Sequence, residues 1–303
     1  MKKIDKIIRS FGVLLISFAI IFTISAQTHA ASFSLVKIID LTPLIGNPAT
    51  IEVDVVGDEL YLANYVDEQY HRIDPITSTL LGSFALGNGI RIDNHGSEYN
   101  PATGRILHVS DDDAGGTLIT YDAFFETDIN GHVTMGPFDL FGPGDNSEDP
   151  NSLTVDPVTD RIWVSAVTSP GGITEIDPAN GTILSQINMG GAAWALGFNP
   201  NSGNLFFADS GGVIKEIAPD GTGLTTVFDP GVGIIYGMAF TPYGDLVLLD
   251  FPVDGPSRLL LYDASYDADG IFTTSPAVPV PATILLLGSG LIGLAGIRRK
   301  LEN

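Results

Sequence analysis

The feature that most constrains this chain is an internal repeat. Five segments, IEVDVVGDELYLAN, EYNPATGRILHVSD, LTVDPVTDRIWVSA, LGFNPNSGNLFFAD and MAFTPYGDLVLLD, each read as an apolar run, a turn and a second apolar run. Their turn-opening residues, Asp54, Asn100, Asp156, Asn199 and Thr241, are spaced 46, 56, 43 and 42 apart. Each is followed by a second turn signal, HRIDP, ITYDA, TEIDP, KEIAP and LLYDA, at offsets of 20, 22, 21, 19 and 22. A unit this short cannot bury an apolar face alone, so it must stack on its neighbours.

Turn chemistry explains the pattern. Proline presets the dihedral early in a turn, and Gly or Asn takes the left-handed position that sends the chain back. Both occur in NPATGR and NPNSGN. The flanking runs RIWVS, NLFFA and DLVLL are rich in β-branched, aromatic and leucine side chains and too short for helices. Four strands in about 40 to 45 residues make one blade of a β-propeller. The expected fold is therefore all-β: five four-stranded blades, or six, near 51–90, 91–140, 151–190, 195–235 and 236–275. A β-sandwich and an open solenoid of hairpins are the competing layouts. The run SLVKIIDL, Ser34 to Leu41, resembles the outer strand TILSQINM and precedes the first unit. It is expected to complete the last blade.

The ends differ from the middle. Lys2, Lys3, Lys6 and Arg9 precede an apolar stretch from Phe11 to Ile24 and the small-residue run SAQTHA. That order predicts a cleaved secretory signal over residues 1–30, cut after Ala30, with Ala31 as the alternative. Its 14-residue core falls short of the roughly 20 residues that span a bilayer, which weighs against an uncleaved anchor. In the tail, Ile284 to Ile297 is apolar or small and is followed by Arg298, Arg299 and Lys300. As a helix this stretch reaches roughly 21 Å, short of the roughly 30 Å hydrocarbon layer.

These tail residues carry a resemblance. Pro279, Pro281, Ala282 and Thr283, then Gly288, Ser289, Gly290 and Leu291, then the basic cluster, resemble a PEP-CTERM sorting signal over 277–303. Val280 stands where that family has Glu. The resemblance implies processing by an exosortase-like protease and a short transmembrane helix that holds the chain at the inner membrane. It further implies delivery to the cell surface or extracellular matrix among exopolysaccharide and biofilm. The rival reading is a plain membrane tether. The run Ala208-Asp209-Ser210-Gly211 similarly resembles a strand end of NHL and YVTN-type propeller repeats.

Between the two signals lies an ectodomain, residues 31–276, long enough for one large core. Seven of the 14 Lys and Arg fall within it, against 34 of the 36 Asp and Glu, a charge near −27. Such a field disfavours nucleic acid and favours cations or a cationic partner. Cysteine is absent, so no disulfide staples the fold.

No G-x-S-x-G, H-E-x-x-H or phosphate-loop pattern occurs, and the histidines have no ligand spacing. No catalytic residue can be named, and the chain is read as a non-enzyme. The rival class is a gluconolactonase-like hydrolase with one divalent ion on the axis, to which Glu52 and Asn151 would be the nearest candidates. Acidic residues gather in loops assigned to one face: Asp67, Glu68, Asp111, Asp112, Asp113, Asp145, Glu148, Asp149, Asp209, Asp250 and Asp254. Hard cations want several oxygen ligands, so Asp111, Asp112, Asp113 and Asp209 are candidate Ca²⁺ ligands, against a solvated acidic rim. Asp267 and Asp269, like Asp128 and Asn130, resemble half of a calcium loop, but Asp-Gly and Asn-Gly are also favoured hairpin turns. Trp163, Phe206, Phe207 and Phe240 are expected in the core.

Overall fold

The computed structural model describes residues 33–264 apart from 47–49, 65, 86–93, 111–122, 141–149, 167–171 and 253–255. The signal helix and the tail helix expected from the sequence lie outside these residues. No helix among the described residues is long and apolar enough to cross a membrane.

Five four-stranded antiparallel sheets make up the described chain. The first blade is β2 (Thr50–Val56), β3 (Glu59–Asn64), β4 (Gln69–Asp74) and β5 (Thr79–Phe84), and the second is β6 (Asn94–Asn100), β7 (Arg105–Ser110), β8 (Ala123–Thr127) and β9 (Val133–Asp139). The third is β10 (Pro150–Asp156), β11 (Arg161–Ala166), β12 (Gly172–Ile176) and β13 (Ile183–Asn188). The fourth is β14 (Ala195–Asn199), β15 (Asn204–Ala208), β16 (Ile214–Ile217) and β17 (Thr225–Phe228). The fifth takes β18 (Ile234–Phe240), β19 (Leu246–Phe251) and β20 (Arg258–Asp263) from the end of the described chain and β1 (Ser34–Asp40) from its start. The first strands of the blades, β2, β6, β10, β14 and β18, touch in succession, and β18 returns to β2. The ring is closed, and the fold is a five-bladed β-propeller.

Alternation along the second strands builds the ring. In β3, Leu60 and Leu62 pack on the fifth blade while Tyr61 and Ala63 pack on the second. Strand β11 does the same, with Ile162 and Val164 against the second blade and Trp163 against the fourth. Strands sandwiched between two sheets are buried on both faces, so their sequences read as unbroken apolar runs. One apolar cluster fills each of the five blade–blade interfaces. Trp163, Phe206, Phe207 and Phe240 all lie in these clusters, as the sequence predicts.

The turns follow their side chains. Asp156 accepts from the Val158 N–H at 2.9 Å, Asn199 from the Asn201 N–H at 2.9 Å and Asn100 from the Ala102 N–H at 2.9 Å. Each bond closes a local ring around the intervening proline, which has no N–H to satisfy. Asp128 accepts from the N–H groups of Asn130 and His132 at 2.8 and 3.0 Å, so ETDINGHV is a hairpin turn. The first unit departs from expectation: its turn is Gly57-Asp58, and Asp54 lies inside β2. The reason is that this unit lacks the proline of the others and turns in two residues on Gly57, at φ +62°.

Strand β1 closes the ring as the outer strand of the fifth blade, with Ile39 opposite Leu259 and Asp40 opposite Arg258. Ile39 and Leu41 are buried in the cluster between the fifth and first blades. Lys37 donates to the carbonyls of Pro75 and Ile76 at 2.8 and 2.7 Å, tying the same strand to the first blade. After it, the one-turn helix α1 (Thr42–Ile45) leads towards β2. Burying Ile39 and Leu41 contributes about 1.5–3 kcal/mol each. Deleting residues 34–41 from the full-length chain should therefore lower the melting temperature by roughly 10 °C or more, followed by near-UV circular dichroism. An unchanged melting temperature contradicts closure by this strand.

Candidate functional site

The axis of the ring is where the five inner strands meet, and their register fixes which residues share a level. The residues that end these strands at the first turn are Val56, Asn100, Asp156, Asn199 and Thr241. Two residues earlier stand Asp54, Glu98, Thr154, Gly197 and Ala239; four earlier stand Glu52, Gly96, Ser152, Ala195 and Gly237. Each of the latter two levels mixes one or two acids with small or hydroxyl residues.

The lower level is packed shut. The Ser152 hydroxyl donates to Glu52 Oε2 at 3.2 Å and accepts the Leu196 N–H at 3.1 Å, so one side chain links the first, third and fourth blades. This reach across the second blade requires Gly96, where a Cβ would stand 2.6 Å from Ser152 Cα. Gly237 is equally constrained, with a Cβ position 2.7 Å from Glu52 Oε1 and 2.8 Å from the Val53 nitrogen. Glycine here serves close approach of backbones.

Glu52 and Asp54 are thereby buried, with the half-buried Glu98 beside them. Burial, reinforced by the Asp54 charge, holds the Glu52 carboxyl well above the usual range. Burial likewise pushes Asp54 up to about 7, against a 3.0 Å hydrogen bond from the Ser97 hydroxyl. Glu98 is raised well above its ordinary value by burial, with Thr154 acting against it and the Asp54 charge with it. No Lys or Arg among the described residues pairs with any of the three. Arg72 forks onto Glu59 at 2.7 and 2.9 Å, and Arg161 onto Glu175 at 2.7 and 3.0 Å. Arg105 meets Glu126, Lys215 meets Asp209, Arg258 meets Asp250, and Lys37 is held by the two carbonyls described above.

Above this plug the axis opens into a cavity of about 440 Å³. Each blade supplies the residue before its turn position, Val55, Tyr99, Val155, Phe198 and Phe240, and the residue after it or its neighbour, Gly57, Pro101, Pro157, Pro200 and Pro242. Glu98 and Thr241 complete the lining. The cavity is thus an apolar funnel built by the repeat itself, with one carboxyl in its wall.

Several sequence expectations meet the structure here. Asp209 receives Lys215 at 2.8 Å and the N–H groups of Gly211 and Val213 at 2.9 and 3.1 Å, so its carboxylate organises its own turn. Asp250 is not on a loop rim: it lies within β19, fully buried, and takes Arg258 Nε at 2.6 Å. Asp111, Asp112, Asp113, Asp267 and Asp269 lie outside the described residues, as do Ala30, Pro279, Pro281, Ala282, Thr283, Arg298, Arg299 and Lys300. Glu52 is engaged with Ser152, and the Asn151 amide donates to the Trp194 carbonyl. Among the described residues no three His, Asp or Glu side chains gather to hold a metal ion. His71 meets Ser83 at 2.8 Å and Asp67 at 3.1 Å, while His108 sits between Tyr70 and Thr127 at 3.1 and 2.8 Å. Burial pushes His108 down to about 3, so it is a neutral core group. The sequence reading missed Glu98 and the axial place of Asp54. Aligning the five units on their turns, rather than on Asp54, would have set both in one column.

The stability of this plug depends on pH in a definite direction. The Asp54 carboxyl ionises near 3.8 when unfolded and near 7 when folded, so its contribution is complete below pH 3.8 and is lost as pH rises to 7. That is on the order of 4 kcal/mol for a shift of this size. Glu52 and Glu98 act in the same sense. His108 and, more weakly, His71, both lowered by burial, act in the opposite sense below their ordinary value of 6.5, two groups against three. The full-length chain should therefore melt higher at pH 5 than at pH 8, and Asp54→Asn should shrink the difference. Equal melting temperatures at the two pH values contradict the buried-acid account.

Residues 277–300 match the PEP-CTERM protein-sorting motif. No curated protein matches the sequence. Among solved structures, the chain is similar to hydrazine synthase of Kuenenia stuttgartiensis, with 14% identity, TM-score 0.45, and coverage of 70% of this chain and 60% of that one. It is similar to a chain of a nidogen/laminin complex at 15% identity and TM-score 0.47, covering 68% and 73% of the two chains. The WD40 β-propeller domain of Doa1 shares 12% identity at TM-score 0.43, covering 71% and 63%. Likenesses this distant carry no information on ligand or activity.

Proposed function

We propose that this chain is a non-catalytic binding or structural protein of the cell surface or extracellular matrix, working among exopolysaccharide. The observation that carries the reading is the joining of two things in one chain: a PEP-CTERM sorting motif at 277–300 and a closed propeller ahead of it. The motif marks the chain as an exported exosortase substrate, anchored in the membrane before processing. The basic cluster Arg298, Arg299 and Lys300 stays on the cytoplasmic side. Cleavage ahead of that cluster frees the propeller from the inner membrane.

Binding rather than catalysis suits the axis. The two polar residues that a metal-dependent hydrolase would present there, Glu52 and Asn151, instead bond across blades: Glu52 Oε2 accepts from Ser152, and the Asn151 amide donates to the Trp194 carbonyl. The strong negative charge of the ectodomain keeps the protein soluble in a crowded matrix and suits basic partners or Ca²⁺ bridging.

Mass spectrometry of the C-terminus of the exported protein tests the processing. An end near Thr283 is expected in an exosortase-competent host, with the protein co-sedimenting with exopolysaccharide. An envelope protein that retains Asn303 in that host contradicts processing, and a processed protein absent from the polysaccharide fraction contradicts the matrix role.

A further inference from the structure

We propose that the axial cavity binds a small amphipathic organic ammonium ion, its apolar body against the proline and aromatic wall and its charged nitrogen at Glu98. This inference stands apart from the matrix reading, since it rests on the ring alone.

Three observations carry it. The cavity, about 440 Å³, falls in the range of small-molecule sites and is mostly apolar, with Glu98 the one carboxyl in its wall. Behind Glu98 lie Asp54 and Glu52, both fully buried, and Asp54 Oδ1 has no hydrogen-bond partner among the described residues. Every Lys and Arg among the described residues is committed elsewhere, on the blades. With no Lys or Arg among the described residues to pair them, these carboxyls keep their protons, and Glu98 ionises at little cost only when a cation is brought to it, since a buried charge is costly unless it is paired. A ligand cation supplies the missing partner.

The wall narrows the chemistry further. Phe198 and Phe240 offer ring surface, which attracts a cation and its neighbouring C–H groups, and the proline rings offer apolar contact without N–H donors. A polyhydroxylated sugar would leave most of its hydroxyls unmatched here, because Glu98, Thr241 and Tyr99 are the polar side chains in the lining. An anion would meet the Glu98 carboxyl and no Lys or Arg in the wall. An ammonium on a compact apolar skeleton satisfies both wall and floor, and the acidic surface of the ectodomain draws it in.

The test compares two shape-matched probes on the full-length chain by isothermal titration calorimetry: phenethylammonium and the neutral 2-phenylethanol. The ammonium should bind at least about tenfold tighter, as a charge-assisted hydrogen bond implies. Glu98→Gln should abolish that preference while leaving the alcohol unchanged, with its melting temperature checked alongside. Equal binding of the two probes, binding of neither, or an undiminished preference in Glu98→Gln would overturn the proposal. Should that variant fail to fold, the comparison of the two probes on the unaltered chain decides by itself.

Discussion

Everything in this molecule depends on one antiparallel pairing, β1 with β20. A propeller blade buries its faces only when it has a neighbour on each side, so an open ring of five would leave two apolar sheet faces in water. Pairing the start of the described chain with its end removes that defect. Ile39 and Leu41 then enter the cluster between the fifth and first blades, and Lys37 reaches the β4–β5 turn. The contact is long-range in sequence, and ring closure cannot precede the formation of the blades it joins.

Closure also determines what the axis is. Five inner strands in a tight ring come within backbone contact, which is why Gly96 and Gly237 stand where they do. Space that small admits few side chains, and the chain fills it with carboxyls and hydroxyls instead of apolar groups. Acids so placed hold their protons, and the plug they form is a polar network bridged by Ser152 and Ser97. The stability this contributes is conditional on pH, in contrast to the five apolar interfaces around it. The same geometry leaves a funnel at the turn end of the strands, so one structural necessity produces both the plug and the cavity.

The blades were legible in the sequence because their signals are local. Proline, glycine and aspartate at fixed places in each turn, and apolar runs between them, occur within single hairpins and repeat five times. The outer-strand character of SLVKIIDL was legible for the same reason, through its likeness to TILSQINM. The axis was not. Whether Asp54 opens a turn or faces inward depends on a difference of two residues, and the first unit has no proline to mark its turn. Glu98 gains its meaning only from Asp54 and Thr154, which lie more than forty residues away on either side. Asp250 similarly looked like loop acid until its pairing with Arg258 placed it within a sheet. The tail was legible by motif alone, and it is the motif that speaks to destination.

Hydrogen exchange of the β1 amides that bond to β20, set beside the amides joining β18 to β19, tests ring closure most directly. If β1 is an integral strand of the fifth blade, both sets exchange through the same global opening, with equal free energies under weakly denaturing conditions. Exchange of the β1 amides many times faster, with the rest of the blade still protected, would show an appended strand and an open ring.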